Sequence, residues 1–179
     1  MTDRAIIQRV LSGDTEAYGI LVDRHYDRCA RVAYRILGNR EDAEEAVQDA
    51  FLRAYRALSG YEDRERFVAW LTRILVNQCR TVRARSEQRE ALFGDDVDPE
   101  YASRQSGTEA AEPSWPDLDA ALAMLPVEQR EAVVLRYTDD LTYQEMARIT
   151  GAGESALKMR VQRAFVRLRA ILQEVSNVG

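Results

Sequence analysis

Basic and polar side chains near the carboxyl end of the chain have the composition of a DNA-reading surface. Between Ser155 and Leu172 there are five basic residues and no acidic one. On a helix, the aliphatic residues Leu157, Val161 and Leu168 would point to one side and leave the polar residues on the other. Arg, Lys and Gln side chains can reach base edges in the major groove, and neighbouring arginines can neutralise phosphates. We therefore predict duplex DNA contacts from Lys158, Met159, Arg160, Gln162, Arg163 and Arg167.

The residues just before this segment predict the helix that must position it. Thr142 and Glu145 have the spacing of a capping box, and Leu141 and Met146 stand where a hydrophobic staple requires them. Gly151 then suits the turn between two helices. The stretch LTYQEMARITGAGESALKMRVQRA is thus predicted to form a helix-turn-helix. A pair of packed helices that never touches DNA is the alternative.

A second cationic stripe is predicted on the helix FVAWLTRILVNQCRTVRAR, which has an apolar side opposite it. The stripe contains arginines and one amide, namely Arg66, Arg73, Asn77 and Arg80. Such groups can hold phosphates and hydrogen-bond base edges, and Tyr61, Phe67 and Trp70 can stack on unpaired bases. Core packing is the alternative for Phe67 and Trp70, and a solvated stripe is the alternative for the arginines.

The segment EDAEEAVQDAFLRAYRAL predicts another helix, with alanines, Val47 and Phe51 on its buried side. Its opposite side is polar except for Leu52. Charged helix faces are usually solvated. A polar face with one apolar anchor can also dock a partner, so both interpretations stay open at this point.

The charge of the chain is unevenly distributed. The formal net charge is −5, but 87–119 contains ten acidic and two basic residues, a local charge of −8, which leaves +3 for the rest. This segment also has most of the prolines and no sustained apolar period, which is typical of a linker. As a flexible coil of roughly 30 residues it would span about 30 Å. We predict domains at 1–86 and 117–179, with the acidic linker at 87–116.

Both predicted domains show helical periodicity and no alternating, strand-like runs. In the first domain a helix should end at Gly38, and Asn39 should cap the next one. The second domain should contain at least four helical segments. The predicted fold class is all-α, with two small helical domains.

Several classes of protein are excluded or disfavoured by composition. No stretch approaches the roughly 20 apolar residues of a membrane span, and the charged start MTDRAIIQRV lacks the order of a signal peptide, so we expect a cytoplasmic protein without membrane insertion. Cys29 and Cys79 have no metal-ligand spacing; buried packing is favoured over a redox switch. His25 is the only histidine, and we expect it on a helix surface. No catalytic residue, metal site or cofactor is predicted.

Two blocks of the sequence resemble sigma factors of the extracytoplasmic-function group (group IV). NREDAEEAVQDAFLRAYRAL with FVAWLTRILVNQCRTVRAR is similar to sigma region 2, and LPVEQREAVVLRYTDDLTYQEMARITGAGESALKMRVQRAFVRLR is similar to region 4. The start of the recognition helix, GAGESALK, departs from the Pro and Gly-Thr pair of many members. The resemblance implies a subunit that binds core RNA polymerase and directs promoter-specific transcription initiation.

The resemblance also implies roles for particular faces. The polar face of 41–58 would bind the clamp helices of the largest polymerase subunit, and the second domain would contact the flap. The implied polymerase contacts are Glu45, Gln48, Asp49, Leu52 and Arg53. The loop 59–66 and the helix after it would receive unpaired bases of the minus-10 element. The implied minus-10 contacts are Tyr61, Arg66, Arg73, Asn77, Arg80 and Arg83.

The second domain would read the minus-35 duplex through the recognition helix, and the acidic linker would run through positively charged polymerase channels. An anti-sigma factor is a further implied partner.

Two other classes of protein are alternatives to a sigma factor. A stand-alone helix-turn-helix regulator shares the second domain, whereas a nuclease or nucleotide-transfer enzyme would need a phosphate loop or metal cluster that the sequence lacks.

Overall fold

The computed structural model describes residues 1–62, 66–93, 116–138 and 140–178. These residues form α-helices and one 3-10 turn, with no strand among them, which confirms the all-α fold class. The first domain contains α1 (Asp3–Leu11), α2 (Ala17–Leu37), α3 (Arg40–Ala57), the 3-10 turn Leu58–Gly60 and α4 (Phe67–Phe93). The second contains α5 (Pro116–Ala123), α6 (Val127–Tyr137), α7 (Tyr143–Thr150) and α8 (Glu154–Val178).

The corner between α2 and α3 forms as the sequence predicts. Gly38 has a left-handed backbone, with φ of 74°, and its N–H donates to the Tyr34 carbonyl. A residue without a side chain adopts this conformation at little cost, which ends the helix. The Asn39 side chain then accepts a hydrogen bond from the Asp42 N–H at 3.1 Å. The cap directs α3 back along α2 and places its alanine side in the core.

The first domain packs α2, α3 and α4 around an apolar core. Ala46 and Ala50 of α3 are fully buried, which lets α3 lie close to its neighbours. The Tyr18 hydroxyl donates to the Phe51 carbonyl at 2.7 Å and ties α2 to α3. This packing leaves the opposite side of α3 on the surface.

The second domain packs α6, α7 and α8 together, with α5 on one side. Leu122, Leu125 and Val133 form a small cluster with Ala164 and Leu168 of α8. The cluster fixes the rotation of α8 about its own axis. The polar side of α8 is therefore directed away from the rest of the domain.

The two domains lie against each other. Leu135, Leu141 and Met146 belong to the same continuous cluster of buried apolar side chains as Leu71 and Leu75 of α4. Polar bonds also cross the boundary, because Arg35 of α2 pairs with Asp119 of α5 at 3.1 Å. The Arg130 guanidinium of α6 donates to the Ile36 carbonyl at 3.2 Å. Apolar contacts and specific hydrogen bonds thus join the domains.

The expectation of a surface position for His25 is wrong. The residue is 6% exposed, and its Nε2 lies 3.0 Å from an Asp3 carboxylate oxygen. His25 lies on the buried side of α2, four residues from both Leu21 and Cys29. Its ring contacts Asp3 of α1 and Phe67 of α4, which cover this side. Cys29 and Cys79 are buried and not joined by a disulfide, as packing residues would be, and burial raises the pKa of the Cys79 thiol to about 12.

The predicted linker coincides only in part with described residues. α4 continues to Phe93, seven residues past the boundary predicted at 86, and α5 begins at Pro116. Residues 94–115 lie outside the described residues. The domain boundaries therefore stay predictions. None of the helices in the described ranges is long and apolar enough to span a membrane.

Candidate nucleic-acid interface

A capped helix and a tight turn position the predicted recognition helix. The Thr142 hydroxyl accepts from the Glu145 N–H at 3.2 Å, and the Glu145 carboxylate accepts from the Thr142 N–H at 2.8 Å. Both halves of the predicted capping box are therefore present. Leu141 and Met146, the staple residues, are fully buried. Gly151 ends α7 in the left-handed conformation, with φ of 74°, so α8 begins after a sharp turn.

The predicted recognition face of α8 lies on the surface. Leu157 and Val161 are buried against α7, which confirms the side of α8 that packs. Arg160 is half-buried and forms an ion pair with Glu128 at 3.1 Å. The other predicted contacts are exposed: Lys158, Met159, Gln162, Arg163 and Arg167. Their side chains can approach a groove without any rearrangement of the domain.

The predicted minus-10 stripe on α4 is divided between solvent and the second domain. Asn77 is exposed, and Arg73 is half-buried. Arg83 is half-buried and lies 3.5 Å from the Glu87 carboxylate. Arg66 and Arg80 instead form ion pairs with carboxylates of the second domain. The structure therefore places the six predicted residues before or along the first two thirds of α4, with Arg66 and Arg80 paired to the second domain and Arg83 paired within α4.

Sequence reasoning missed both of these ion pairs, because Glu131 was not singled out and Glu145 was predicted only as a capping residue. Arg80 pairs with Glu131 at 2.7 Å, and the Glu131 side chain is only 7% exposed. Arg66 donates twice to one oxygen of Glu145 and once to the other, at 2.8 to 3.0 Å. Glu131 lies within the apolar run of α6. A charged residue at a buried helix position usually has a partner, and this was the one indication of the pair in the sequence.

The electrostatics of Glu145 follow from its neighbours. Partial burial would by itself raise the pKa of the carboxyl, but hydrogen bonds from the Thr142 N–H, Arg66 and the Thr142 hydroxyl outweigh burial, so the pKa is lowered from its usual value. The group is therefore a carboxylate at neutral pH. A cleft of about 290 Å³ lies beside it, lined among others by Arg66, Arg73 and Arg148.

Three aromatic residues at the start of α4 form a cluster with edge-to-face and tilted ring contacts. The Tyr61 ring lies 5.7 Å from Phe67 and 5.2 Å from Trp70. Phe67 and Trp70 are 5% and 7% exposed, so the core-packing alternative is correct for both. Tyr61 is half-buried and keeps one part of its ring at the surface. Residues 63–65 of the predicted base-receiving loop lie outside the described residues.

The outer face of α3 is a largely polar surface with an apolar centre. Leu52 is 56% exposed, and Tyr55 beside it is 41% exposed. Glu45 pairs with Arg85 at 2.9 Å, which links this face to α4. The other predicted polymerase contacts are exposed or half-buried: Gln48, Asp49 and Arg53. The arrangement places a leucine within a polar rim, which is the composition of a protein-binding surface.

The site chemistry is that of a binding protein with cationic and amide groups. Within the described ranges no cluster of histidine, cysteine or carboxylate side chains could hold a metal ion. Fold and surface together define a DNA-binding protein of two helical domains, with a helix-turn-helix in the second.

Two family descriptions match the chain. Sigma-70 region 2 matches residues 21–90, and Sigma-70, region 4 matches residues 116–168. The first match covers α2, α3 and most of α4, and the second covers α5 through most of α8. The order of the two matches agrees with the order of the two predicted blocks.

Curated relatives match over nearly the whole chain. The RNA polymerase sigma factor NccH of Alcaligenes xylosoxydans xylosoxydans is 32% identical over 96% of this chain and 95% of its own. The ECF RNA polymerase sigma-E factor of Escherichia coli K12 is 31% identical over 92% of this chain and 91% of its own. The similarity therefore includes both domains and the connection between them.

Solved structures show the same fold. The sigma factor RpoE from Bartonella quintana, in complex with the anti-sigma factor NepR, has a TM-score of 0.71 and 26% identity, covering 87% of this chain and 96% of that one. CnrH, in complex with the cytosolic domain of CnrY, has a TM-score of 0.68 and 28% identity, covering 96% and 97%.

The chain belongs to the extracytoplasmic-function group of the sigma-70 family. Its function is therefore that of a promoter-directing sigma factor, and the alternative of a stand-alone regulator is not supported. The matches identify the domains but leave the roles of individual side chains as predictions.

Proposed function

We propose that the second domain reads duplex minus-35 DNA through α8 while the first domain binds core RNA polymerase and captures unpaired minus-10 bases. The observation that carries this proposal is the exposure of the α8 polar face in a helix-turn-helix whose first helix is capped at both ends. A rigid turn fixes the angle at which Gln162 and Arg163 enter a groove, and a fixed angle is what base discrimination requires.

The polymerase surface proposed for the first domain is the outer face of α3. Leu52 is the apolar anchor, and Gln48, Asp49 and Arg53 surround it with polar groups. Buried apolar anchors contribute most of the affinity at such interfaces, whereas the polar rim fixes orientation. We assign this face to the clamp helices of the largest subunit, and we assign the flap to the second domain.

Capture of unpaired bases is assigned to the exposed part of α4. Asn77 is exposed, and its amide can donate and accept hydrogen bonds with one base edge. Arg73 and Arg83, on the same helix, would hold the backbone of the strand. Tyr61 offers the exposed part of its ring for stacking.

No bond-making chemistry is assigned to the chain. Promoter opening would be driven by the binding energy of the unpaired bases and of the polymerase rather than by nucleotide hydrolysis. The protein would act in the cytoplasm, where its polymerase is. An anti-sigma factor is the proposed negative regulator, because the RpoE relative was solved with the anti-sigma factor NepR and CnrH with the cytosolic domain of CnrY.

Polymerase-dependent DNA binding tests the proposal directly. A promoter selected from a random library should bind tightly to core enzyme plus the chain, and the chain alone should bind it much more weakly. Selection of the same sequence with equal affinity in the absence of core enzyme would favour a stand-alone regulator.

A pair of leucine variants tests the polymerase surface within the same assay. Leu52→Ala removes the apolar anchor and should weaken the complex with core enzyme. The Leu11→Ala variant is its matched control, because Leu11 is 45% exposed on α1, outside the proposed face.

A further inference from the structure

The first turns of α8 expose a large apolar side chain on a face that is otherwise polar. Met159 is 50% exposed, and it is the one large apolar side chain exposed among residues 154–160, all of which the structure describes. Leu157, two positions before it, is fully buried. Packing within the domain therefore accounts for Leu157 but not for Met159, which belongs to the face that the proposed function directs into the major groove.

The residues on either side of Met159 are held toward other helices of the same domain. The Lys158 ammonium lies 5.6 Å from the centroid of the Tyr143 ring of α7. The Arg160 guanidinium pairs with Glu128 of α6 at 3.1 Å. Because successive residues on a helix are about 100° apart, Met159 projects between the two cations. A groove has phosphates at its edges and base edges on its floor, so this order suits an apolar group directed at the bases.

The chemistry of a thioether leaves it one way to distinguish base pairs in the major groove. Its sulfur is a weak acceptor and it has no donor, so it cannot match the hydrogen-bonding pattern of a base edge. The groove carries one apolar group, the C5 methyl of thymine, which the other bases lack. The flexible methionine side chain adapts readily to the shape of such a group. Contact between the two would remove apolar surface from water, which is favourable.

We propose that Met159 is a specificity-determining residue that selects a thymine in the minus-35 duplex through its C5 methyl group. This inference rests on the proposed function, because it requires α8 to enter the major groove. Recognition helices of this motif contact base edges through their N-terminal residues, and Met159 is the sixth residue of α8. The DNA element bound by α8 should therefore contain a thymine whose methyl group contributes to affinity.

Val166 provides a matched control on the same helix. It lies seven residues after Met159, about two turns and roughly 10 Å further along α8, and it is 72% exposed. It shares the face of Met159 but lies beyond the N-terminal residues that contact base edges. Val166→Ala thus removes exposed apolar surface without removing the proposed contact. Because both side chains are exposed, neither Met159→Ala nor Val166→Ala should unfold the domain.

The experiment removes the methyl group from the DNA, one thymine at a time. The probe is a fluorescein-labelled duplex that carries the minus-35 element selected with the holoenzyme. Each thymine is replaced singly by deoxyuridine, which lacks the methyl group and keeps the base pair. Fluorescence anisotropy measures the binding of holoenzyme that contains the wild-type chain or either variant. One replacement should weaken wild-type binding about three- to fivefold, on the scale of one buried methyl group.

Loss of Met159 should abolish this sensitivity to the methyl group. Met159→Ala should bind the thymine and deoxyuridine duplexes within about 1.5-fold of each other, whereas Val166→Ala should keep the wild-type ratio. An effect that arises from the shape of the DNA alone would be equal in all three proteins, so the comparison isolates the contact.

Three results would overturn the inference. They are equal sensitivity of the wild type and Met159→Ala, a selected element in which no replacement weakens wild-type binding, and loss of sensitivity in Val166→Ala. Failure of the wild-type holoenzyme to prefer the selected duplex over an unrelated one would instead contradict the proposed function.

Discussion

The imidazole of His25 and the carboxylate of Asp3 meet at 3.0 Å across the contact of α1 with α2. Burial lowers the pKa of His25 below its ordinary value of 6.5, the Asp3 charge opposes this shift, and Arg28 and Arg24 add to it. The folded chain therefore holds a neutral histidine under conditions in which the unfolded chain has already begun to bind a proton.

Stability should depend on pH through this one histidine. Below pH 6.5 the unfolded state binds the proton more readily, so the free energy of unfolding should fall with decreasing pH until the folded-state pKa is reached. Urea unfolding between about pH 5 and 7.5 measures this slope. His25→Gln should flatten it, and an identical slope in the variant would show that other groups are responsible.

Leu52→Ala should weaken binding of core polymerase. Removal of an exposed apolar anchor from the centre of a polar face should cost about 1–2 kcal/mol, which is roughly 5- to 30-fold in affinity. Competition for fluorescently labelled core enzyme measures this effect. Leu11→Ala should bind like the wild type, and an equal loss in both variants would show that the effect is not local.

Arg163→Ala and Arg167→Ala should change DNA binding in different ways. Arg163 is assigned to a base edge, so its loss should remove about 1–3 kcal/mol of discrimination at one base pair. Arg167 is assigned to a phosphate, so its loss should weaken all sequences equally and reduce the salt dependence by about one unit. Binding to a panel of single-substitution duplexes at several salt concentrations separates them. If both variants weakened binding to all duplexes equally, the assignment of Arg163 to a base edge would be contradicted.

Asn77→Ala should impair promoter opening without weakening the binding of core polymerase. Loss of a hydrogen bond to an unpaired base should cost about 1 kcal/mol, or about fivefold in open complex. Permanganate reactivity of unpaired thymines measures opening, and Gln8→Ala, which removes an exposed amide from α1, is the control. Normal opening by Asn77→Ala would exclude this side chain from base capture.

Thr142→Ala should destabilise the second domain. The variant removes the side chain that accepts the Glu145 N–H, and loss of such a cap costs about 1 kcal/mol. Thermal unfolding should show a lower midpoint, whereas Ser155→Ala, an exposed hydroxyl in the first turn of α8, should change it little. An unchanged midpoint in Thr142→Ala would show that the Thr142 side chain contributes nothing measurable to the stability of the domain.

Local features of the fold could be predicted from the sequence because their causes are local. The Asn39 cap, the turn at Gly38 and the capping box at Thr142 each depend on residues within a few positions of one another. The exposed side of α8 follows from helical phase, because its aliphatic residues recur on one side of the helix. These short-range signals therefore suffice to predict which side chains of α8 face solvent.

Contacts between distant segments could not be predicted in this way. Arg80 and Glu131 are separated by 51 positions, and nothing in either helix indicates the other. Helical phase would have indicated burial of His25, because it recurs with Leu21 and Cys29 on one side of α2, but its contact with Asp3 of α1 could not be read from α2 alone. Both partnerships require the tertiary packing, because the polar group that offsets the cost of burial comes from another helix.

Run-off transcription with purified bacterial core RNA polymerase and a library of promoters tests the central claim most directly. Core enzyme supplemented with this chain should produce discrete transcripts from a restricted set of templates that share upstream and downstream elements, and core enzyme alone should not. Transcription that is unchanged by the chain, together with no association between the chain and core enzyme at low salt, would contradict the account.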